Sequence, residues 1–187
     1  MEAAKMKLAI LFGLLLFSNM AFSQWGEGRV NVFFSIPEIA LIDIESVSGN
    51  NVRFTVTPST EPGENPDITE PSNDPLWINY SSALANSNFT RSITAEISQG
   101  SLPEGILVFL QASAYFGIGK GQLGHPAGRA NLTNQPRPII ADVGSCFTGD
   151  GVNNGHSLNF SIEISDYSKI KAADETVFTV LYTITDN

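Results

Sequence analysis

The chain contains a single cysteine, and a histidine follows it closely in sequence. Cys146 and His156 flank a glycine-rich turn, so a hairpin across that turn would bring their side chains face to face. An imidazolium beside a thiol lowers the thiol pKa, which is the minimum requirement for cysteine nucleophilic catalysis. However, no oxyanion-hole motif accompanies the pair, and free cysteine is among the most frequently buried residues. We therefore predict that Cys146 is buried and that the protein is not an enzyme.

Four aromatic residues offer a second kind of chemistry, the stacking of sugar rings on exposed aromatic faces. Such a platform needs exposed rings, whereas aromatic side chains at strand positions are more often buried. No pair of carboxylates stands out as a glycosidase dyad. A secreted carbohydrate- or surface-binding module is therefore the alternative function that we retain. Its candidate ligand-binding aromatics are Trp77, Tyr80, Tyr115 and Phe116.

Two segments rich in side-chain oxygens raise the question of calcium, which binds several carboxylate and carbonyl oxygens. One is a proline-rich acidic loop predicted over residues 58–75, and the other is the turn at residues 148–155. Neither has the alternating spacing of a calcium loop, and no His or Cys cluster suits zinc. A glycine-rich loop predicted over residues 116–131 lacks the spacing that cradles phosphate. We expect no metal and no cofactor. The residues considered as calcium ligands are Asp67, Glu70, Asp74, Asp150, Asn153 and Asn154.

The N-terminal residues have the three parts of an export signal. Lys5 and Lys7 form a basic region, residues 8–17 form an apolar run, and Ala21 and Ser23 provide the small residues before a cleavage site. The apolar run is about half the ~20 residues that a membrane span needs. We predict a signal peptide over residues 1–23, cleaved to leave a single domain at residues 24–187 with no transmembrane segment. The mature protein is then periplasmic, on the cell surface or extracellular.

The overall charge excludes one class of partner. The sequence has 19 acidic and 10 basic side chains, a formal net charge of −9 at pH 7. A chain this acidic repels phosphate backbones, so we expect no nucleic acid partner. The acidity also helps to keep an exported protein in solution.

Hydrophobic alternation with a period of two dominates the rest of the chain, and no helical period is convincing. The clearest case is the closing stretch, in which Phe178, Val180, Tyr182 and Ile184 lie on one side. About nine short strands between turns predict an all-β, antiparallel two-sheet sandwich. In the fifth predicted strand, the inward set includes Ile93 and Ala95. The predicted strands are residues 29–36, 39–45, 52–57, 76–81, 91–99, 106–114, 139–147, 157–164 and 176–187.

The plan of leader, short strands and glycine-rich loops, with the closing sequence Val-Leu-Tyr-Thr-Ile-Thr at residues 180–185, resembles bacterial fimbrial subunits. It also resembles the spore-coat-U-like secreted proteins related to them. The resemblance implies an immunoglobulin-like, pilin-like sandwich with a structural or adhesive role at the bacterial surface. Its partners would be further copies or other surface subunits, joined by strand exchange, a form of β-augmentation. The implied donor residues are Val30, Val32, Phe34 and Ile36.

A simpler interpretation of residues 29–36 stays open. The first strand of an ordinary sandwich shows the same alternation as a donated strand. The sequence does not decide between pairing within the chain and pairing with a second copy.

Overall fold

The computed structural model describes residues 28–69, 75–172 and 175–187. The predicted signal peptide and two of the possible calcium ligands, Glu70 and Asp74, lie outside these residues. The chain divides into two compact units, Met1–Ser35 and Ile36–Asn187. In the first unit, residues 28–35 have neither helix nor strand.

The second unit is almost entirely β-structure, as predicted. Its only helical segment among the described residues is one 3-10 turn, Tyr167–Lys169. All strand pairs are antiparallel. The strands are β1 (Ile39–Glu45), β2 (Thr55–Thr57), β3 (Asp67–Thr69), β4 (Leu76–Ala83), β5 (Arg91–Gln99), β6 (Ile106–Ala112), β7 (Lys120–Pro126), β8 (Ala130–Asn131), β9 (Arg137–Phe147), β10 (His156–Ile164) and β11 (Thr179–Asp186).

The strands form two layers that stay hydrogen-bonded to each other at one corner. One layer has the order β11-β5-β9-β7, and the other has the order β1-β4-β10-β6-β8. At the corner, Ser81 and Ser82 of β4 pair with Phe147 and Cys146 of β9. β2 and β3 form a separate ribbon. The prediction of an antiparallel sandwich is therefore confirmed.

A single hydrophobic core is shared by the two layers. The inward positions predicted for β5 are confirmed, because Ile93 and Ala95 are fully buried. In β4, adjacent side chains point to opposite faces of the sheet, so only one of Trp77 and Ile78 can face the core. Ile78 is fully buried and Trp77 is half-buried. Burying each side chain of this size contributes about 1.5–3 kcal/mol, so the core is the main source of stability.

The closing stretch forms β11, the strand that the alternation predicted most clearly. β11 pairs with β5 along its whole length, with Tyr182 opposite Ala95 and Ile184 opposite Ile93. Its inward side chains pack against the core, while Leu181 on the other face is exposed. The strand therefore completes one layer at its edge.

Three local predictions are wrong. Residues 29–36 form no strand, and none of the strand pairs in the described part of the chain includes them. Of the strand predicted over residues 52–57, only Thr55–Thr57 forms, and it pairs with Asp67–Thr69 inside the predicted proline-rich loop. The glycine-rich segment predicted as loop contains β7 and β8.

Glycine explains why a segment with the composition of a loop forms strand β7. At Gly121 the backbone has a φ of +97°, and a Cβ there would collide with the carbonyl oxygen of Ser145 on β9. Only glycine allows the two backbones to approach so closely in this conformation. The composition of this segment thus reflects tight strand pairing.

Candidate functional site

The predicted hairpin between the cysteine and histidine strands does not form. β9 and β10 both pair with β4, one after the other along the same edge. Cys146 lies opposite Ser82, whereas His156 lies opposite Ile78, four positions earlier in β4. The turn between β9 and β10 therefore connects two separate positions on β4.

His156 is fully buried and both of its ring nitrogens are engaged. Nδ1 lies 2.7 Å from the carbonyl oxygen of Ser113, and Nε2 lies 2.9 Å from the hydroxyl of Tyr80. Because a carbonyl oxygen only accepts, Nδ1 must carry a hydrogen. Burial lowers the pKa of His156, against an opposing effect of the hydrogen bond to Ser113. The imidazole thus serves as a neutral link between β10, β4 and the segment after β6.

The environment of Cys146 does not favour a nucleophile. The residue is buried, as predicted, and burial raises the pKa of its thiol to about 11. An activated cysteine needs a lowered pKa and a cationic neighbour, whereas the buried His156 favours its neutral form. Cys146 and His156 are therefore two buried residues opposite separate positions of β4.

The structure separates the four candidate aromatics. Tyr80 is 3% exposed, and its hydroxyl contacts His156 and the carbonyl of Leu123, so its inclusion in an exposed platform is wrong. Tyr115 is half-buried, and its hydroxyl donates to the Thr148 carbonyl at 3.0 Å. Phe116, by contrast, is 61% exposed.

Trp77 supports Phe116 from the side. The two ring centroids lie 6.1 Å apart, with the ring planes tilted by 51°. Offset and tilted arrangements at this distance are favourable for aromatic pairs. Two of the four predicted aromatics therefore form a pair in which Phe116 is exposed and Trp77 is half-buried, with Tyr115 next to Phe116 in the chain.

An open cleft of about 630 Å³ lies beside this pair, between the segment after β6 and the turn after β9. It combines aromatic, aliphatic and amide side chains, and no charged side chain lines it. Sequence reasoning missed its aliphatic wall and weighed its two amides only as calcium ligands. The lining residues are Tyr115, Phe116, Gly117, Ile118, Asn153 and Asn154.

Hydrogen bonds hold the two walls of the cleft together. The backbone N–H of Phe116 donates to the carbonyl of Gly155 at 2.8 Å. Asn154 accepts from the N–H of Ile118 at 3.3 Å and donates to the carbonyl of Asp150 at 2.7 Å. From behind, the amide of Asn79 donates to the carbonyl of Asn154 at 2.5 Å. The cleft is therefore shaped before any ligand arrives.

A buried arginine joins the two layers at one end of the sandwich. The side chain of Arg91 is 4% exposed and forms ion pairs with Glu38 at 2.6 Å and Asp186 at 2.7 Å. It also donates to Ser82 Oγ at 3.2 Å and to the carbonyl of Ile39. The alternation of β5 could have revealed it, because Arg91 lies in the same set as Ile93 and Ala95.

The candidate donor residues are strongly exposed. Among residues 28–36, five large apolar side chains are 74–89% exposed. Four of them are the predicted donors, and the fifth is Phe33, which lies outside the alternating set. The five are Val30, Val32, Phe33, Phe34 and Ile36.

Neither a metal-binding group nor a membrane-spanning helix is found in the described part of the chain. Within residues 28–69, 75–172 and 175–187, no three His, Cys, Asp or Glu side chains come together as a metal-binding group. No helix in the same ranges has the length and apolar character needed to cross a membrane.

The chain matches no protein-family model, no curated protein and no solved structure.

Proposed function

We propose that this protein is an exported structural subunit that assembles with further copies by strand exchange. Residues 30–36 of one copy would add as a strand to the sandwich of the next copy. The donor residues are Val30, Val32, Phe34 and Ile36. The resemblance to fimbrial subunits points to the same mode of assembly.

The exposure of the donor segment carries the proposal. β-Branched and aromatic residues alternate over residues 30–36, yet the segment forms no strand and its large side chains are 74–89% exposed. Contiguous exposed apolar surface is uncommon in soluble monomers and usually marks an interaction site. Pairing with a second copy would bury these side chains and satisfy the backbone groups of the segment.

The sandwich offers a suitable acceptor between β1 and β11. Each is the edge strand of its own layer, and an edge strand presents unpaired backbone groups to an incoming chain. Side chains that face the core on these two strands are only half-buried. A donated strand that alternates in the same way would cover them. The half-buried side chains are Ile42, Ile44, Val180, Tyr182 and Ile184.

Removing the donor segment gives the primary test. We expect the mature protein to sediment as multimers, and a variant lacking residues 24–36 to sediment as a folded monomer. Analytical ultracentrifugation measures the mass, and circular dichroism checks the fold. Multimers that persist after the deletion, or a chain that unfolds without the segment, would contradict donation.

A pair of point variants separates strand exchange from general stickiness. Phe34→Asp changes the alternating set, while Phe33→Asp places the same charge on the opposite face of the same segment. Because a strand buries only one face against the acceptor core, Phe34→Asp should reduce assembly much more than Phe33→Asp. An equal loss of assembly in both variants would indicate non-specific apolar contact and contradict strand exchange.

A further inference from the structure

We infer that the cleft formed by Tyr115, Phe116, Ile118, Asn153 and Asn154 binds a neutral carbohydrate. The site lies within the Ile36–Asn187 unit and does not depend on strand exchange. Its ligand would be a short oligosaccharide without charged groups, held by stacking on Phe116 and by hydrogen bonds to the amides.

The absence of charge in the cleft selects the class of ligand. None of its six lining residues has an ionisable acid or base group apart from the phenol of Tyr115, and that phenol is bonded to Thr148. The protein as a whole has a net charge of −9. A cationic ligand would find no carboxylate in this cleft, and an anionic ligand would find no cation. A neutral ligand matches the site best.

The apolar wall fits the face of a pyranose ring. Phe116 and Ile118, which lie on either side of Gly117 in the chain, are 61% and 78% exposed. Trp77 packs against Phe116 at 6.1 Å and limits the movement of its ring. Ligand sites are typically apolar walls with a few placed polar groups. A sugar ring has C–H groups on its faces and hydroxyls at its edge, so it complements both kinds of surface.

The amide wall supplies the polar groups. Asn153 is exposed and has a φ of +62°, a conformation that asparagine tolerates better than most residues. Asn154 is fixed by its bonds to Ile118 and Asp150. An amide both donates and accepts, which suits a hydroxyl. The exposed Asn153 is therefore the main candidate for direct hydrogen bonds to the sugar.

The cleft is preorganised, which lowers the entropic cost of binding. A Cβ at Gly117 would lie 2.6 Å from Asn154 Oδ1, so only glycine lets the two walls approach to this distance. The bond from Phe116 to Gly155 holds the walls in register. A ligand would order few side chains on entering.

The test uses the mature protein and an array of neutral and sialylated oligosaccharides, followed by NMR titration with the oligosaccharides that bind. We expect neutral saccharides to bind and to shift the amide signals of residues 115–118 and 153–154. Phe116→Ala should weaken binding about three- to tenfold, since it removes an aromatic contact. Asn153→Gly should also weaken it while keeping the backbone conformation.

Phe89→Ala is the matched control, because Phe89 is 59% exposed but does not line the cleft. The affinity of the Phe89→Ala variant for the saccharide should equal that of the unaltered protein. Binding of no neutral saccharide, or equal loss in Phe116→Ala and Phe89→Ala, would overturn the inference.

A further outcome involves the donor segment. If the mature protein forms multimers that the deletion of residues 24–36 abolishes, yet neither form binds a neutral saccharide, the carbohydrate inference fails while assembly stands. Conversely, a mature protein that sediments as a monomer but binds neutral saccharides would leave this inference standing without strand exchange.

Discussion

Two segments with the same alternation have different structures in this protein. Residues 30–36 and strand β11 both place β-branched and aromatic residues at every second position. β11 pairs with β5 over its full length, and its inward side chains pack against the core. Residues 30–36 form no strand and expose five large apolar side chains.

The comparison shows that alternation makes a segment competent to form a strand but does not provide a partner. β5 offers β11 a free edge and a row of inward residues, including Ile93 and Ala95. A strand gains stability from cross-strand pairs and burial, and both depend on the neighbour. The donor segment has the sequence of a strand, and in the proposed assembly a second copy would supply its partner.

The largest expected difference between the two segments is in the stability of the monomer. Tyr182→Ala removes a core-facing side chain of β11, and we expect the free energy of unfolding to fall by about 2–4 kcal/mol. Phe34→Ala, its counterpart in the donor segment, should change it by no more than about 0.5 kcal/mol, since the side chain is exposed. Urea unfolding of both variants, at a protein concentration low enough for each to be monomeric, measures the contrast. Similar losses would show that residues 30–36 pack within their own chain.

A smaller effect is expected at Arg91, which contacts Glu38 near the start of β1 and Asp186 at the end of β11. Arg91→Leu should lower the free energy of unfolding by about 1–3 kcal/mol, because it breaks several bonds of a buried group. Thermal and urea unfolding provide the measurement.

Arg53→Leu is the control for this prediction. Arg53 pairs with Glu175 at 2.6 Å, but both side chains are exposed. An exposed ion pair contributes at most about 1 kcal/mol. If the Arg53 variant proves as costly as Arg91→Leu, burial is not the source of the effect.

The smallest expected effect is a loss of stability of the sandwich as the pH falls, which the donor segment should not share. Because burial lowers the pKa of His156 in the folded state, the unfolded chain takes up the proton first as the pH falls. The contribution of His156 to the free energy of unfolding is therefore fully present above the ordinary pKa of histidine. Below that pKa the contribution is lost, by at most about 1.4 kcal/mol per pH unit. Urea unfolding between pH 7 and pH 5 should show this loss, and His156→Gln should remove it.

His125→Gln is the matched control, since His125 is the only other histidine and is exposed. This substitution should leave the loss of unfolding free energy between pH 7 and pH 5 unchanged. Residues 28–36 contain no acid and no histidine, so assembly should persist until the sandwich itself unfolds. Multimers that dissociate in step with protonation while the sandwich stays folded would contradict this separation.

Local patterns predicted the regular parts of the fold well. The bounds of β5 match the predicted residues 91–99, and the predicted inward positions of Ile93 and Ala95 are confirmed. Local sequence patterns failed to predict strands that form only because a distant segment pairs with them. β7 has a loop-like composition because its glycines permit close approach to β9. β3 forms within a proline-rich stretch because β2 pairs with it.

The candidate sites were predicted only in part. The aromatics were identified by type, but exposure separated Phe116 from the buried Tyr80. The prediction that Cys146 and His156 face each other is wrong, because their strands, β9 and β10, pair with β4 and not with each other. The amides of the cleft gave no specific signal, since turn residues of this type are common.

The sequence by itself determined that the protein is built of short antiparallel strands, because alternating side chains can bury one face only in a layered sheet. It also marked residues 30–36 as able to form a strand. The tertiary structure decided which alternating segment finds a partner, which aromatics reach the surface, and how Arg91 is buried between two carboxylates. These outcomes depend on contacts between residues far apart in the chain, and no local pattern encodes such contacts.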